Sequence, residues 1–215
     1  MSKLVLPATV STTVVLITGL LLVPLFEFRP LPTNMAMHIG LMNVAAPLMA
    51  AVWVHRSGAG SGGSGRLWLI AAVQIVLLWA WHAPSLQQQT AHSHLLQWLM
   101  HGTLFLAALC FWHHLLRLPP LVRWHAIPVL LLTGKLACLL AALLIFAPRV
   151  LYTSPDADAA HWAITTLDDQ QLAGLLMITA CPLSYLVAGV VFAAQAVAAF
   201  GAPRRDMISS GRKVA

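Results

Sequence analysis

The stretch AIPVLLLTGKLACLLAALLIFA, residues 126–147, carries one charge, Lys135, in a run long enough to cross a bilayer as a helix. About 20 apolar residues make that crossing, whereas a membrane β-strand needs only about 9–11 and alternates apolar with polar positions. This run exceeds a strand and does not alternate. Similar runs occupy residues 4–26, 35–54, 67–83, 94–116 and 170–200. The first follows a lone Lys3, is too long for a signal-peptide core and lacks an A-x-A site before Phe26-Glu27-Phe28-Arg29, so it counts as a span. The sequence therefore predicts an all-α, polytopic transmembrane helix bundle of about six spans. It forms a single transmembrane domain over residues 1–215.

Composition agrees. Of 215 residues, 60% are apolar and 8% charged, against about 25% charged in a soluble domain. A soluble globular enzyme and a disordered chain are both excluded. No G-x-S-x-G, H-E-x-x-H, P-loop or dinucleotide fingerprint occurs, so a conventional enzyme is not expected. The net charge of +6 would suggest nucleic acid in a soluble protein. In a membrane protein it reads instead as the basic bias of cytoplasmic segments, with membrane lipid and not nucleic acid as the surroundings.

The basic residues set the orientation. With the N-terminus inside, the inner segments hold Lys3, Arg56, Arg66, Arg117, Arg123, Arg204, Arg205, Arg212 and Lys213, nine in all. The outer loops hold Arg29 and Arg149, two. Both termini are therefore expected in the cytoplasm. The Gly/Ser-rich segment from Ser57 to Gly65 reads as a flexible linker between the second and third spans. Cys110, Cys138 and Cys181 stand singly in apolar runs and read as small buried hydrophobes. Gly102, Gly134 and Gly174 suit close helix packing, and Lys135, near mid-membrane, calls for a partner or a water-filled cavity.

Ten histidines are the oddity of this chain. His55, His113, His114 and His125 fall at inner helix ends beside Arg56, Arg117 and Arg123, where snorkelling explains them. The others gather outside: His38 one turn into the second span, His82 ending the third, His92, His94 and His101 on the fourth, His161 in the loop before the sixth. Met35, His38 and Met42 share one helical face, as do His94 and His101. Polar groups in lipid turn inward, so His38, His82 and His101 are expected to meet in the outer half of the bundle. Thioethers beside imidazoles favour copper, Cu(I) above all, although a tetrahedral zinc site is also open to this donor set. Met35 and Asp169 are the further candidate ligands. Of the Asp168–Asp169 pair, one acid reads as a helix N-cap and the other, with Gln170, as a group facing the histidines.

Four motifs recur in order: Asn34-Met35-Ala36-Met37-His38-Ile39-Gly40-Leu41-Met42 with Ala45-Ala46-Pro47-Leu48; Trp81-His82-Ala83-Pro84; Met100-His101 with Phe105 and Phe111-Trp112; and Leu167-Asp168-Asp169-Gln170-Gln171-Leu172-Ala173-Gly174 with Met177. This string resembles the CtaG family of cytochrome c oxidase assembly factors. The resemblance implies a multi-pass protein of the bacterial inner (cytoplasmic) membrane, acting in the respiratory chain. Its partners would be subunits of a haem-copper oxidase and its role copper delivery at the periplasmic face. Asn34 stands where the pattern expects a histidine, Met100 where it expects an acid, and six spans suggest a shortened member. Two other functions remain open from the residues: a stably bound accessory subunit of a terminal oxidase with structural histidines, and a transmembrane haem b carrier.

The topology has a direct check. Cysteines introduced at Ser57 and Ser85 are expected to react with impermeant reagents from opposite faces. Labelling of both from the periplasm would contradict the assigned orientation.

Overall fold

The computed structural model describes residues 30–57, 63–152 and 167–201. The expected first span at 4–26 and His161 lie outside them. The described chain runs as α1 (Pro30–Gly40), a π-helical segment Leu41–Ala45, α2 (Ala46–Ser57), α3 (Ser64–Trp81), α4 (Pro84–His92), α5 (His94–Leu116), a 3₁₀ turn Pro120–His125, α6 (Ala126–Phe146) and α7 (Leu167–Gly201). Among the described residues, five stretches are long and apolar enough to cross a membrane: Leu31–Arg56, Ser64–Trp81, His94–Leu116, Val122–Phe146 and Leu167–Ala198. No strand occurs among the described residues. The protein is a helical membrane bundle. Its core is built on Met35, Leu104, Phe111, Leu144 and Met177, while Leu69, Val76, Trp98, Leu106 and Val190 face outward.

α1, the π segment and α2 make one continuous span with a fault in its middle. There the Ala46 amide donates to the Leu41 carbonyl, five residues back instead of four. In the same register the next donor to the Met42 carbonyl would be residue 47, which is proline and has no N–H. The Trp112 indole supplies the missing donor from α5, at 3.1 Å. Asn43, also in the fault, donates to the Ile39 carbonyl at 3.2 Å and accepts from the Ser184 hydroxyl of α7 at 2.7 Å. The widened turn is thus tied to two other helices. It begins three residues after His38.

Among the described helices α6 and α7 form the most extensive pair, and α1 packs on α7, α2 on α5, and α3 on both α5 and α6. Gly174 sets the closeness of α6 and α7: a Cβ there would come within 2.7 Å of Ile145 Cγ1 and 3.0 Å of the Ala141 carbonyl oxygen. At Gly134 a Cβ would make only ordinary contact, 3.7 Å from Tyr185 Cβ, and at Gly102 it would meet nothing within 4 Å. The expectation of close packing therefore holds at Gly174 and is corrected at Gly102.

Two further expectations change. Residues 84–93, expected as a loop, contain α4. Ala83 is extended before Pro84, which starts the helix at a position where its missing N–H costs nothing, and Ser93 then caps α5 by accepting the Leu96 amide at 3.4 Å. Lys135 is exposed in the middle of α6 beside the exposed Leu131, Leu132 and Leu139. Among the described residues the bundle offers it no carboxylate, so its position in hydrocarbon costs about 3 kcal/mol.

Gly174→Ala is expected to lower the thermal stability of the purified protein by about 1–3 kcal/mol through overpacking against Ile145, whereas Gly102→Ala stays within about 0.5 kcal/mol. Equal melting temperatures for the two variants would contradict the close approach.

Candidate functional site

Three helices bring His38, His82 and His101 together. His38 comes from the last turn of α1, His82 caps the C-terminus of α3, and His101 lies two turns into α5. All three are buried, and Met35, one turn before His38, is wholly so. The His38 ring stands edge-on to His82 with centroids 5.3 Å apart, and tilted to His101 at 6.3 Å. The Met35 sulfur lies 3.3 Å from His82 Nε2. These are four of the five residues singled out from the sequence.

The backbone fixes two of the ring tautomers. His82 Nδ1 is 2.7 Å from the Leu78 carbonyl, and His101 Nδ1 is 2.8 Å from the Gln97 carbonyl, each four residues back on its own helix. A carbonyl only accepts, so each Nδ1 carries the proton and each Nε2 carries a lone pair. His82 Nε2 turns that lone pair to the Met35 thioether. Neither group has a proton to give, so the contact is between two electron-pair donors. Among the described residues, His101 Nε2 and both nitrogens of His38 have no hydrogen-bond partner of ordinary geometry, and the Asn34 backbone lies against the His38 and His101 rings. Asn34, where the sequence pattern expects histidine, therefore stands at the edge of the cluster. Among the described residues no three His, Cys, Asp or Glu side chains close on a single point. The soft partner that does meet a ring nitrogen is methionine.

Other sequence candidates are placed differently. His92 and His94 are exposed and stand apart from the buried cluster. Asp168 and Asp169 both lie in the first helical turn of α7; Asp168 is exposed and Asp169 is buried. Gln170 does not serve the histidines. Its carbonyl oxygen accepts the Leu151 amide at 2.7 Å and its NH₂ donates to the Leu144 carbonyl at 3.1 Å, closing the C-terminal end of α6.

Tyr152 was not foreseen. Its hydroxyl donates to the His82 carbonyl at 3.0 Å and ties the chain after α6 to the end of α3. Burial pushes its phenol above the ordinary range, which keeps the hydroxyl protonated and able to donate. The only signal was an amphipathic ring at the start of a polar loop. Through Tyr152 and Gln170, the histidine cluster, the end of α6 and the start of α7 share one end of the bundle.

The family model for the cytochrome c oxidase caa3 assembly factor (Caa3_CtaG) matches residues 12–199. The chain belongs to this family. It is a multi-pass membrane protein and a cytochrome c oxidase assembly factor, in a family named for assembly rather than catalysis. No match was found among curated proteins or solved structures. The model covers all four motifs and hence every residue of the cluster.

The tautomers give a spectroscopic prediction. In ¹⁵N spectra of the histidine-labelled protein, His82 and His101 are expected to show a pyrrole-like Nδ1 and an imine-like Nε2. The opposite assignment at either residue would remove the lone pair from the cluster.

Proposed function

We propose that this assembly factor holds Cu(I) as cargo, at the periplasmic face of the bacterial inner membrane, and passes it to a subunit of a haem-copper oxidase. The carrying observation is the 3.3 Å separation of His82 Nε2 and Met35 Sδ. With metal–nitrogen and metal–sulfur bonds of about 2.0 and about 2.3 Å, two donors at that spacing subtend about 100° at one ion, close to a tetrahedral angle. His38 and His101, with rings 5.3 Å from His82 and 6.3 Å from His38 respectively, are the further imidazoles that would close on the ion once it is bound. Asp169, buried at the same end of the bundle, is the remaining candidate donor.

The chemistry of the set favours Cu(I). Thioether and imidazole are soft to intermediate donors that suit Cu(I) better than magnesium or calcium. The imidazoles and the thioether are neutral, so a monovalent ion among them leaves less charge in a low-dielectric interior than a divalent one. Neutral ligands also release their ion more readily than thiolates, as a carrier requires. The Nδ1–H bonds to Leu78 and Gln97 orient the rings in the manner of supporting contacts around bound metals. The nine-to-two split of basic residues supports an outward, periplasmic reading of this end of the bundle.

Loss of supporting contacts alone typically costs about 10–100-fold in metal affinity. His38→Ala with His101→Ala, and separately Met35→Leu, are expected to weaken Cu(I) binding by more than tenfold in competition with a chelator. In cells at limiting copper, the double variant is expected to leave oxidase polypeptides present but short of copper, with added copper restoring part of the activity by mass action. Fully metallated, fully active oxidase from the double variant at limiting copper would overturn the delivery role.

A further inference from the structure

We propose that the face around Lys135 is a docking surface for a transmembrane helix of a partner protein carrying a carboxylate at mid-membrane depth. This inference rests on membership in an assembly-factor family and not on the copper site.

Two independent observations bear on the outer side of α6. The first is the charge. Lys135 is the tenth residue of α6, about 13 Å along the helix from Ala126 at 1.5 Å per residue. Side chains on a helix lean toward its N-terminus, so the lysine can snorkel that way by about 6 Å. That leaves its ammonium about 7 Å short of the helix end. It is exposed on the bundle between Leu131, Leu132 and Leu139. Charged side chains at this depth pair with an opposite charge or face water.

The second observation is shape. Further round α6 from Lys135, α3 and α6 part to form an apolar groove of about 220 Å³, lined by Ala71, Ala72, Ile75, Val129, Leu132 and Thr133 among others but not by Lys135 itself. Small residues at a membrane groove let another helix backbone approach closely. Here Ala71, Ala72 and Thr133 provide that relief, and Leu132 joins the groove to the face bearing Lys135.

The charge selects the occupant. The apolar run at residues 4–26 has no Asp or Glu, so this chain's own segment brings no counter-charge. A second copy brings none at mid-depth either. The six acids are Glu27, Asp156, Asp158, Asp168, Asp169 and Asp206, all at or beyond the ends of the apolar runs. Lipid tails carry no anion. What fits is a foreign helix with an aspartate or glutamate near its middle, as an integral subunit met during assembly would present.

A photo-crosslinking residue at Leu139, in the full-length protein in its native membrane, tests this, with one at Leu186 on α7 as the off-face control. The expected adduct maps to an apolar segment of another protein that contains Asp or Glu. Its yield falls at least about tenfold in Lys135→Leu and is kept in Lys135→Arg. Lys135→Glu, combined with Lys in place of the mapped carboxylate, restores it. Adducts confined to residues 4–26, to a second copy or to lipid would overturn the proposal, as would a yield indifferent to Lys135→Leu. Unchanged Cu(I) binding by purified Lys135→Leu shows that the fold is intact. A failed crosslink with copper binding intact rejects the docking surface and leaves the copper proposal standing.

Discussion

Water is absent from the hydrocarbon around most of this chain, so each polar side chain on a span is stable only where the protein receives it. Two of the three clustered histidines meet that constraint within their own helices. His82 and His101 each donate from Nδ1 to the carbonyl four residues earlier. The bond satisfies the N–H, fixes the tautomer and turns Nε2 away from the parent helix toward its neighbours. A helix thereby converts an imidazole into an aimed lone pair. The cluster depends on this conversion, because the same rings in the other tautomer would present protons to one another.

The first described span shows how the backbone serves the same end. Its π segment breaks the regular ladder between His38 and Pro47, and the Met42 carbonyl left over is bonded by Trp112. Such single widened turns tend to accompany functional sites. Here the fault couples α1 to α5 through Trp112 and to α7 through the Asn43–Ser184 bond. Met35 and His38 are consequently held relative to the helices that carry His101 and Asp169. Gly174 adds the close seating of α7 on α6, and Tyr152 links the end of α6 to His82.

Much of this was legible in the sequence, for a physical reason. The apolar runs fix helices because lipid permits little else, and inward-turning polar groups fix which residues meet. Met35, His38, His82 and His101 followed from that logic. What was not legible depends on rotation about a helix axis and on local capping. Hydropathy alone does not say that Lys135 faces outward, that His94 is exposed while His101 is buried, or that Gln170 closes α6. The helix at 84–92 escaped notice because a short polar helix has neither length nor apolar periodicity to announce it. Asp169 falls between the two cases, with its burial in view and its metal role resting on the proposal.

The copper K-edge absorption fine structure of the purified protein loaded with Cu(I) tests the central claim most directly. The account predicts a mixed shell, with imidazole nitrogens at about 2.0 Å and one sulfur at about 2.3 Å, the sulfur disappearing in Met35→Leu. A shell made of sulfur alone, or a spectrum unchanged by Met35→Leu, would contradict it.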